Sequence, residues 1–170
     1  EIDMLEETYL KIISSKTASL FAAATKVGAI LSNQENKVKD ALEFYGKNLG
    51  LTFQIADDTL DYNSELKLFG KEIGNDFYEG KVTLPIILLN LKANTEEKKF
   101  IKNCFLNYKR SEADFKSILG LIKKYDIIND CYLKAEYFIG LSSNSLSIFP
   151  DTKEKEILKK LTSFSLERNF

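Results

Sequence analysis

The 170-residue sequence predicts an all-α fold, an antiparallel helical bundle. Apolar residues recur at spacings of three and four along most of the chain, whereas the alternation typical of strands is scarce. The sequence contains two prolines, so long helical stretches are uninterrupted. Apolar residues make up 44% of the chain and charged residues 29%, which is typical of a folded globular domain. Long helices joined by short links are therefore expected.

The first two helices are predicted to be long. One covers about residues 4–32, where apolar residues keep helical spacing and several alanines allow a neighbouring helix to approach closely. The second covers about residues 36–62. Residues 63–82 contain glycines and are predicted to be irregular.

The remaining helices are predicted from their start signals. Thr83 is a candidate N-cap, with Pro85 in the first turn of a helix that extends to about Leu91. Ser111 caps a helix with an acidic first turn that extends to about Lys124. The others are predicted over about residues 95–107, 129–146 and 153–168.

Composition excludes several classes of function. The net charge is −1 and no basic stripe is interleaved with aromatic residues, so nucleic acid is not an expected partner. Histidine is absent, which excludes Ser-His-Asp, Cys-His and His-ligated zinc chemistry. No apolar run reaches the roughly 18 residues that span a membrane, so we expect no transmembrane segment.

The start of the chain and its cysteines bear on location. The sequence begins with Glu-Ile-Asp-Met, which does not resemble a secretory signal, and it lacks an initiator methionine, which suggests that residues precede it. Cys104 and Cys131 lie far apart and are predicted to be reduced thiols in or near the core. We therefore expect a cytoplasmic protein.

An acidic patch is predicted near the end of the second helix. On a helix of 100° per residue, four side chains share an arc of roughly 100°: Gln54, Asp57, Asp58 and Asp61. Carboxylates at this spacing repel one another, and a hard divalent cation between them would offset that cost. The patch therefore predicts a Mg²⁺ site, with a solvated acidic face as the competing interpretation.

The surroundings of this patch favour a lined cavity. Phe53, Ile55 and Leu60 are apolar neighbours that would pack inward, and Gly50 lies one turn before the patch. A calcium-binding EF-hand loop is excluded, because its sixth position requires glycine and Tyr62 stands there.

Two further segments supply positive charge. Residues 70–81 carry glycines, whose backbone N–H groups can approach an anion, together with Lys71 and Lys81 as point charges for a diphosphate. A solvated turn is the competing interpretation of this loop. Lys16 and Thr17 form a possible site pair in the first helix, unless Lys16 is a surface lysine.

These motifs together resemble those of the trans-type polyprenyl diphosphate synthases, over essentially all 170 residues. The segment FQIADDTLDY resembles the second aspartate-rich motif of that family. The segment GKEIGNDFYEGKVTLP resembles the family's diphosphate-binding loop and the start of the helix that follows it. Its Tyr…Lys-Thr helix is similar to YLKIISSKTASLFAAA, and the ending LERNF is similar to the long-chain, octaprenyl-type branch. The motif spacing favours chain elongation over a terpene cyclase or squalene-type synthase.

The resemblance implies a helical bundle of the isoprenoid synthase type and a Mg²⁺-dependent, head-to-tail condensation of isopentenyl diphosphate with an allylic diphosphate. It further implies that Asp57 binds Mg²⁺ directly and that Asp58 and Asp61 complete the site, partly through water. Phe53 would form a wall of the cavity for the growing chain, or else an ordinary core residue.

The resemblance also assigns the remaining polar candidates. Lys16 and Lys71 would hold the departing diphosphate, and Lys81 would support it. Thr17 and Gln54 would line the allylic carbons, where their oxygen dipoles stabilise developing positive charge.

One departure from the family pattern limits the predicted activity. The family has two aspartate-rich motifs on facing helices, and this chain contains one of them. We therefore expect residues 1–170 to be the C-terminal half of a single synthase domain, inactive without the N-terminal half. Family resemblance implies a homodimer or a pairing with that half. The alternative is a non-catalytic partner or regulatory subunit that makes contact through its first helix.

Overall fold

The computed structural model describes residues 2–63, 73–107 and 109–167, and within them it contains helices and no strand. The prediction of an all-α protein is confirmed. The elements in chain order are α1 (Glu6–Ile13), a π-helical segment (Ser14–Ala18), α2 (Ser19–Leu31), α3 (Asn36–Leu60), α4 (Asn75–Glu79), α5 (Leu84–Lys92), α6 (Thr95–Leu106), α7 (Glu112–Lys124), α8 (Ile127–Ser145), a 3₁₀ turn (Leu146–Ile148) and α9 (Lys153–Glu167).

The first predicted helix is interrupted by the π-helical segment. At its end the N–H of Ser19 donates to the carbonyl of Ser14, five residues back. The hydroxyl of Ser19 donates to the carbonyl of Ser15 at 2.9 Å, which satisfies another backbone oxygen of this turn. A π turn differs from an α turn by one residue in its hydrogen-bond spacing, so the apolar spacing did not predict it.

The region predicted to be irregular contains the short helix α4. Gly74 and Gly80 flank it with φ angles of 94° and 75°, in the left-handed region that favours glycine. A Cβ atom at Gly74 would also lie 2.6 Å from the ring of Phe115. Glycine at this position therefore answers both a backbone and a packing requirement.

The predicted N-cap positions of α5 and α7 are confirmed. Thr83 occupies the N-cap of α5 without a capping bond from its side chain, and Pro85 lies in the first turn of that helix. Ser111 caps α7 with a capping box in which its hydroxyl accepts the N–H of Asp114 at 3.1 Å. For α6 the N-cap is Asn94, whose side chain accepts the N–H of Glu97 at 3.0 Å. Side-chain capping thus marks where α6 and α7 begin.

The chain divides into two compact units. Unit 1 comprises Glu1–Tyr9 and Asp57–Tyr132, and unit 2 comprises Leu10–Ala56 and Leu133–Phe170. Phe77 is fully buried in unit 1, and its ring lies 5.3 Å from that of Phe115. This aromatic packing holds α4 against α7.

The core of unit 2 forms around Tyr45, which is fully buried and clusters with Leu49 and Leu146. The Tyr45 hydroxyl donates to the carbonyl of Leu158 at 2.8 Å, and the hydroxyl of Ser142 donates to the carbonyl of Tyr45 at 3.0 Å. These bonds tie α3 to α8 and α9.

The helices α2 and α3 lie unusually close where small residues meet. A Cβ atom at Gly50 would lie 2.6 Å from the Cα atom of Ala18, and one at Gly46 would overlap the carbonyl of Phe21. The structure thus bears out the expectation that small side chains permit close approach. The contact between Gly50 and Ala18 also holds the end of the π-helical segment against α3.

Two further expectations concern the cysteines and the membrane. Cys104 and Cys131 are free thiols and both are buried, as predicted. Among the described helices, none combines the length and the apolar character needed to cross a membrane.

Candidate active site

The last turn of α3 carries two adjacent carboxylates in different surroundings. Asp57 is exposed, whereas Asp58 is 6% exposed. The hydroxyl of Tyr9, itself 3% exposed, donates to Oδ2 of Asp58 at 2.6 Å. Burial, and then the adjacent Asp58 carboxylate, raise the pKa of Tyr9 far above its usual range, so the phenol keeps its proton and remains a donor.

Asp61 follows α3 directly and binds the backbone at the start of α4. Its Oδ1 accepts the N–H groups of Gly74 and Asn75 at 3.0 Å each, and its Oδ2 accepts that of Asp76 at 2.8 Å. The backbone carbonyl of Asp61 accepts the N–H of Gly74 at 2.8 Å. Asp61 therefore caps α4 across a gap of 13 residues in sequence.

The loop that follows the acidic patch is described in part. Lys71, which the resemblance assigned to the diphosphate, lies within 64–72, outside the described residues. Lys81 is half-exposed, and its Nζ atom lies 3.3 Å from Asp76 and 2.5 Å from Glu79. The hydrogen bond that Lys81 donates to Glu79 is the main cause that raises the pKa of Lys81 above its usual value. Lys81 is thus a fully charged cation beside two carboxylates.

Sequence reasoning did not select Asp76 as a candidate. Its side chain is partly buried, and burial, followed by the nearby Asp61 carboxylate, raises its pKa above the usual value. The signal was its position in Gly-Asn-Asp, four residues before Gly80 and five before Lys81. Asp76 adds an acidic group to the surroundings of Asp61.

The described carboxylates do not form a ready-made metal cluster. Across residues 2–63, 73–107 and 109–167, no group of three or more His, Cys, Asp or Glu side chains is arranged to hold a metal ion. Asp58 binds Tyr9 and Asp61 binds backbone N–H groups, whereas Asp57 is exposed. The atoms that these three side chains could offer a metal are carboxylate oxygens. Such ligands suit a hard cation that keeps several waters and also binds phosphate oxygens of a substrate.

In unit 2 the structure brings together two of the predicted residues. Thr17, in the π-helical segment, donates its hydroxyl to Oε1 of Gln54 at 2.7 Å. This bond fixes the orientation of the Gln54 amide. Lys16 is exposed in the same segment. Single π turns occur frequently at functional sites, and sequence reasoning missed this one.

Phe53 lies between the helices of unit 2. It is partly buried, and its ring centroid is 5.6 Å from that of Phe21. This aromatic pair joins α2 to α3. The contact is compatible with both interpretations of Phe53, a core residue and the wall of a cavity.

Comparison with known proteins connects this geometry to one family. The family described as Polyprenyl synthetase matches residues 1–122. The octaprenyl diphosphate synthase of Haemophilus influenzae is 30% identical over 165 residues, which are 97% of this chain and 50% of that protein. The chain spans about half the length of the curated relatives it matches.

Solved structures give the same result for the fold. A polyprenyl synthase from Caulobacter crescentus, complexed with calcium and isoprenyl diphosphate, superposes with a TM-score of 0.92 at 35% identity, over 100% of this chain and 52% of that one. A decaprenyl diphosphate synthase from Rhodobacter capsulatus superposes with a TM-score of 0.93 at 32% identity, again over 100% of this chain and 52% of that one. The predicted isoprenoid synthase type of helical fold is confirmed.

Proposed function

Because this chain belongs to the polyprenyl synthetase family, we propose that it supplies the second aspartate-rich motif of a chain-elongating polyprenyl diphosphate synthase. The reaction would join isopentenyl diphosphate head to tail to an allylic diphosphate. The C–O bond of the allylic diphosphate breaks and diphosphate leaves with the electron pair, the double bond of isopentenyl diphosphate attacks the allylic carbon, and the resulting cationic adduct loses a proton. Residues 1–170 would form the C-terminal half of a single domain.

The observation that carries this proposal is the pairing of an exposed and a buried carboxylate at the end of α3. Asp57 is open to solvent and would bind a divalent cation directly, while Asp58 is held in place by Tyr9. When bound, Mg²⁺ would neutralise the negative charge of the diphosphate group and so assist its departure from the allylic carbon. Calcium in the Caulobacter crescentus enzyme supports a hard, oxygen-seeking cation in the family.

The lysines of the chain would bind the diphosphate. Lys16 is exposed in the π-helical segment, and Lys81 lies two residues after the end of α4, beside Asp76. Each would contribute a positive charge to diphosphate oxygens, together with Lys71. Asp61 would join the metal site through water while it caps α4.

The remaining candidates would act on the carbon chain. Thr17 fixes the amide of Gln54, and the two side chains would place oxygen dipoles near the allylic carbons. Phe53 would line the cavity for the growing product.

The direct test is incorporation of labelled isopentenyl diphosphate with Mg²⁺ and an allylic diphosphate primer. The 170-residue chain is assayed alone, joined to any residues that precede it in its gene, and mixed with a separately encoded polypeptide that carries a first aspartate-rich motif. We expect incorporation when that motif is present and none from the chain alone. Turnover by the verified pure chain would contradict its dependence on the other half.

The role of Asp57 is tested in the active combination. We expect Asp57→Asn to lower turnover by on the order of 10²-fold, because a group that stabilises departing negative charge is lost. The matched control is Asp40→Asn, which removes another exposed carboxylate of α3. Equal effects of the two substitutions would contradict the assignment of Asp57.

One observation favours the second candidate function, a non-catalytic partner of a heteromeric prenyl synthase. Leu20, Val27 and Leu31 of α2 are 73%, 47% and 78% exposed, and their spacing places them along one side of the helix. Exposed apolar rows of this kind bind other chains. A chain that stays monomeric at high concentration, and that is active alone, would exclude this role.

A further inference from the structure

We propose that Tyr9 is a positioning residue for the metal-binding carboxylates: its hydroxyl fixes Asp58 and thereby sets the affinity of the α3 end for a divalent cation with diphosphate. This inference rests on the proposed function. Tyr9 had no assigned role in the sequence analysis beyond its place in a motif. The structure supplies one, because Tyr9 and Asp58 are 49 residues apart in sequence and 2.6 Å apart in space.

The first argument is the strength of the contact. The Tyr9 hydroxyl and the Asp58 carboxylate are both buried, and a short O–H···O⁻ bond to a charged acceptor is stronger than a neutral one. A buried carboxylate that loses such a donor is left with an uncompensated desolvation cost. The bond therefore restricts Asp58 to one orientation.

The second argument is the direction of this hydrogen bond. The Tyr9 hydroxyl donates and Oδ2 of Asp58 accepts. Asp57, the next residue on the same helix end, is exposed. A cation held by Asp57 would therefore lie beside a carboxylate whose orientation Tyr9 fixes.

The third argument comes from metal sites in general. Groups that hydrogen-bond a ligating side chain orient it, and their removal typically weakens metal binding by about 10- to 100-fold. Tyr9 stands in this relation to Asp58. A purely structural tyrosine would contribute to folding without changing the affinity for the cation.

The chain offers a matched control in Tyr45. Its side chain is also fully buried, and its hydroxyl also makes a hydrogen bond, to the carbonyl of Leu158 at 2.8 Å. Tyr45→Phe removes the same atom from a comparable environment. Unlike Tyr9, however, Tyr45 makes its bond to a neutral backbone group.

The experiment measures Mn²⁺ binding to the 170-residue chain by electron paramagnetic resonance in the presence of inorganic diphosphate. We expect Tyr9→Phe to weaken Mn²⁺ binding at least about tenfold, the lower end of the general range for such groups. Tyr45→Phe should leave it unchanged. In a chain that already carries Asp58→Asn, Tyr9→Phe should have no further effect, because the two residues act as one unit.

A second measurement needs no substitution. The ¹³Cζ resonance of Tyr9 in tyrosine-labelled protein should shift when Mg²⁺ and diphosphate are added, while that of Tyr45 should not. Asp57→Asn is the control that shows Mn²⁺ to be bound at the α3 end, because it should abolish binding. With that control met, unchanged Mn²⁺ binding in Tyr9→Phe, or an unshifted Tyr9 resonance, overturns the inference. Absence of Mn²⁺ binding in the unsubstituted chain overturns the proposed metal site itself, and this inference with it.

Discussion

The side chain of Asp61 accepts three backbone N–H groups through its two oxygens, and Asp61→Ala would remove all three hydrogen bonds in one step. The donors differ in their surroundings. The N–H of Asn75 belongs to an exposed residue and can turn to water, and that of Gly74 keeps the Asp61 carbonyl at 2.8 Å. The N–H of Asp76, partly buried, loses its acceptor at 2.8 Å.

The expected cost follows from these differences. Loss of an N-cap acceptor costs about 1 kcal/mol. Loss of a charge-assisted bond to a partly buried donor adds about 1.5 kcal/mol. Relief of the repulsion between Asp61 and Asp76 offsets about 0.5 kcal/mol. We therefore expect Asp61→Ala to lower the free energy of unfolding by about 2 kcal/mol.

The assay is urea denaturation followed by far-ultraviolet circular dichroism, with amide hydrogen exchange at residues 74–76. The control is Asp57→Ala, which removes an exposed carboxylate from the same helix end and should change the free energy by less than about 0.5 kcal/mol. Equal stabilities for the two variants, or unchanged exchange at residues 74–76, would refute the capping role of Asp61.

Two other substitutions test the packing and the electrostatics. Gly50→Val should destabilise the protein by about 1–3 kcal/mol, because its Cβ atom would lie 2.6 Å from the Cα atom of Ala18. Gly28→Ala, at a position where a Cβ atom meets nothing within 4 Å, should stabilise α2 by about 1 kcal/mol. Thermal unfolding that ranks the two variants in the opposite order would contradict this packing. Hydrogen bonds, first the one that Lys124 donates, lower the pKa of Glu97 from 4.5 to about 2. The contribution of ionised Glu97 to the free energy of unfolding should therefore be fully present above pH 4.5 and be lost as the pH falls toward 2. Glu97→Gln should remove this part of the acid dependence in denaturation curves, and identical curves for both proteins would exclude it.

Helix positions were predictable where the signal is local. Ser111 and its acidic first turn lie within four residues of each other, and the cap formed as expected. The end of α3 at Leu60 was predicted within two residues, whereas the π-helical segment at residues 14–18 was not predicted, because apolar spacing does not distinguish a π turn from an α turn. Local chemistry thus determines helix starts better than it determines the path of a long helix.

The residue types of the candidate site come from the sequence and their roles stay a prediction, whereas their hydrogen bonds could not be predicted from the sequence. The spacing of Asp57, Asp58 and Asp61 indicated a shared patch, and the structure gives each a different environment. Tyr9 and Asp76 were missed because their relation to these residues depends on contacts distant in sequence or on burial, which periodicity does not report.

The π-helical segment has a consequence for comparing this sequence with others. A helix that made the same contacts with ordinary α turns would need one residue fewer between Ile13 and Ser19. When this sequence is aligned with one that has ordinary α turns here, the one-residue gap should fall within residues 14–18. A gap placed elsewhere in the helix would rotate every residue between that gap and the π-helical segment by about 100° around the helix axis. Residue numbers transferred across such a misplaced gap would assign the role of Thr17 to a side chain on another face.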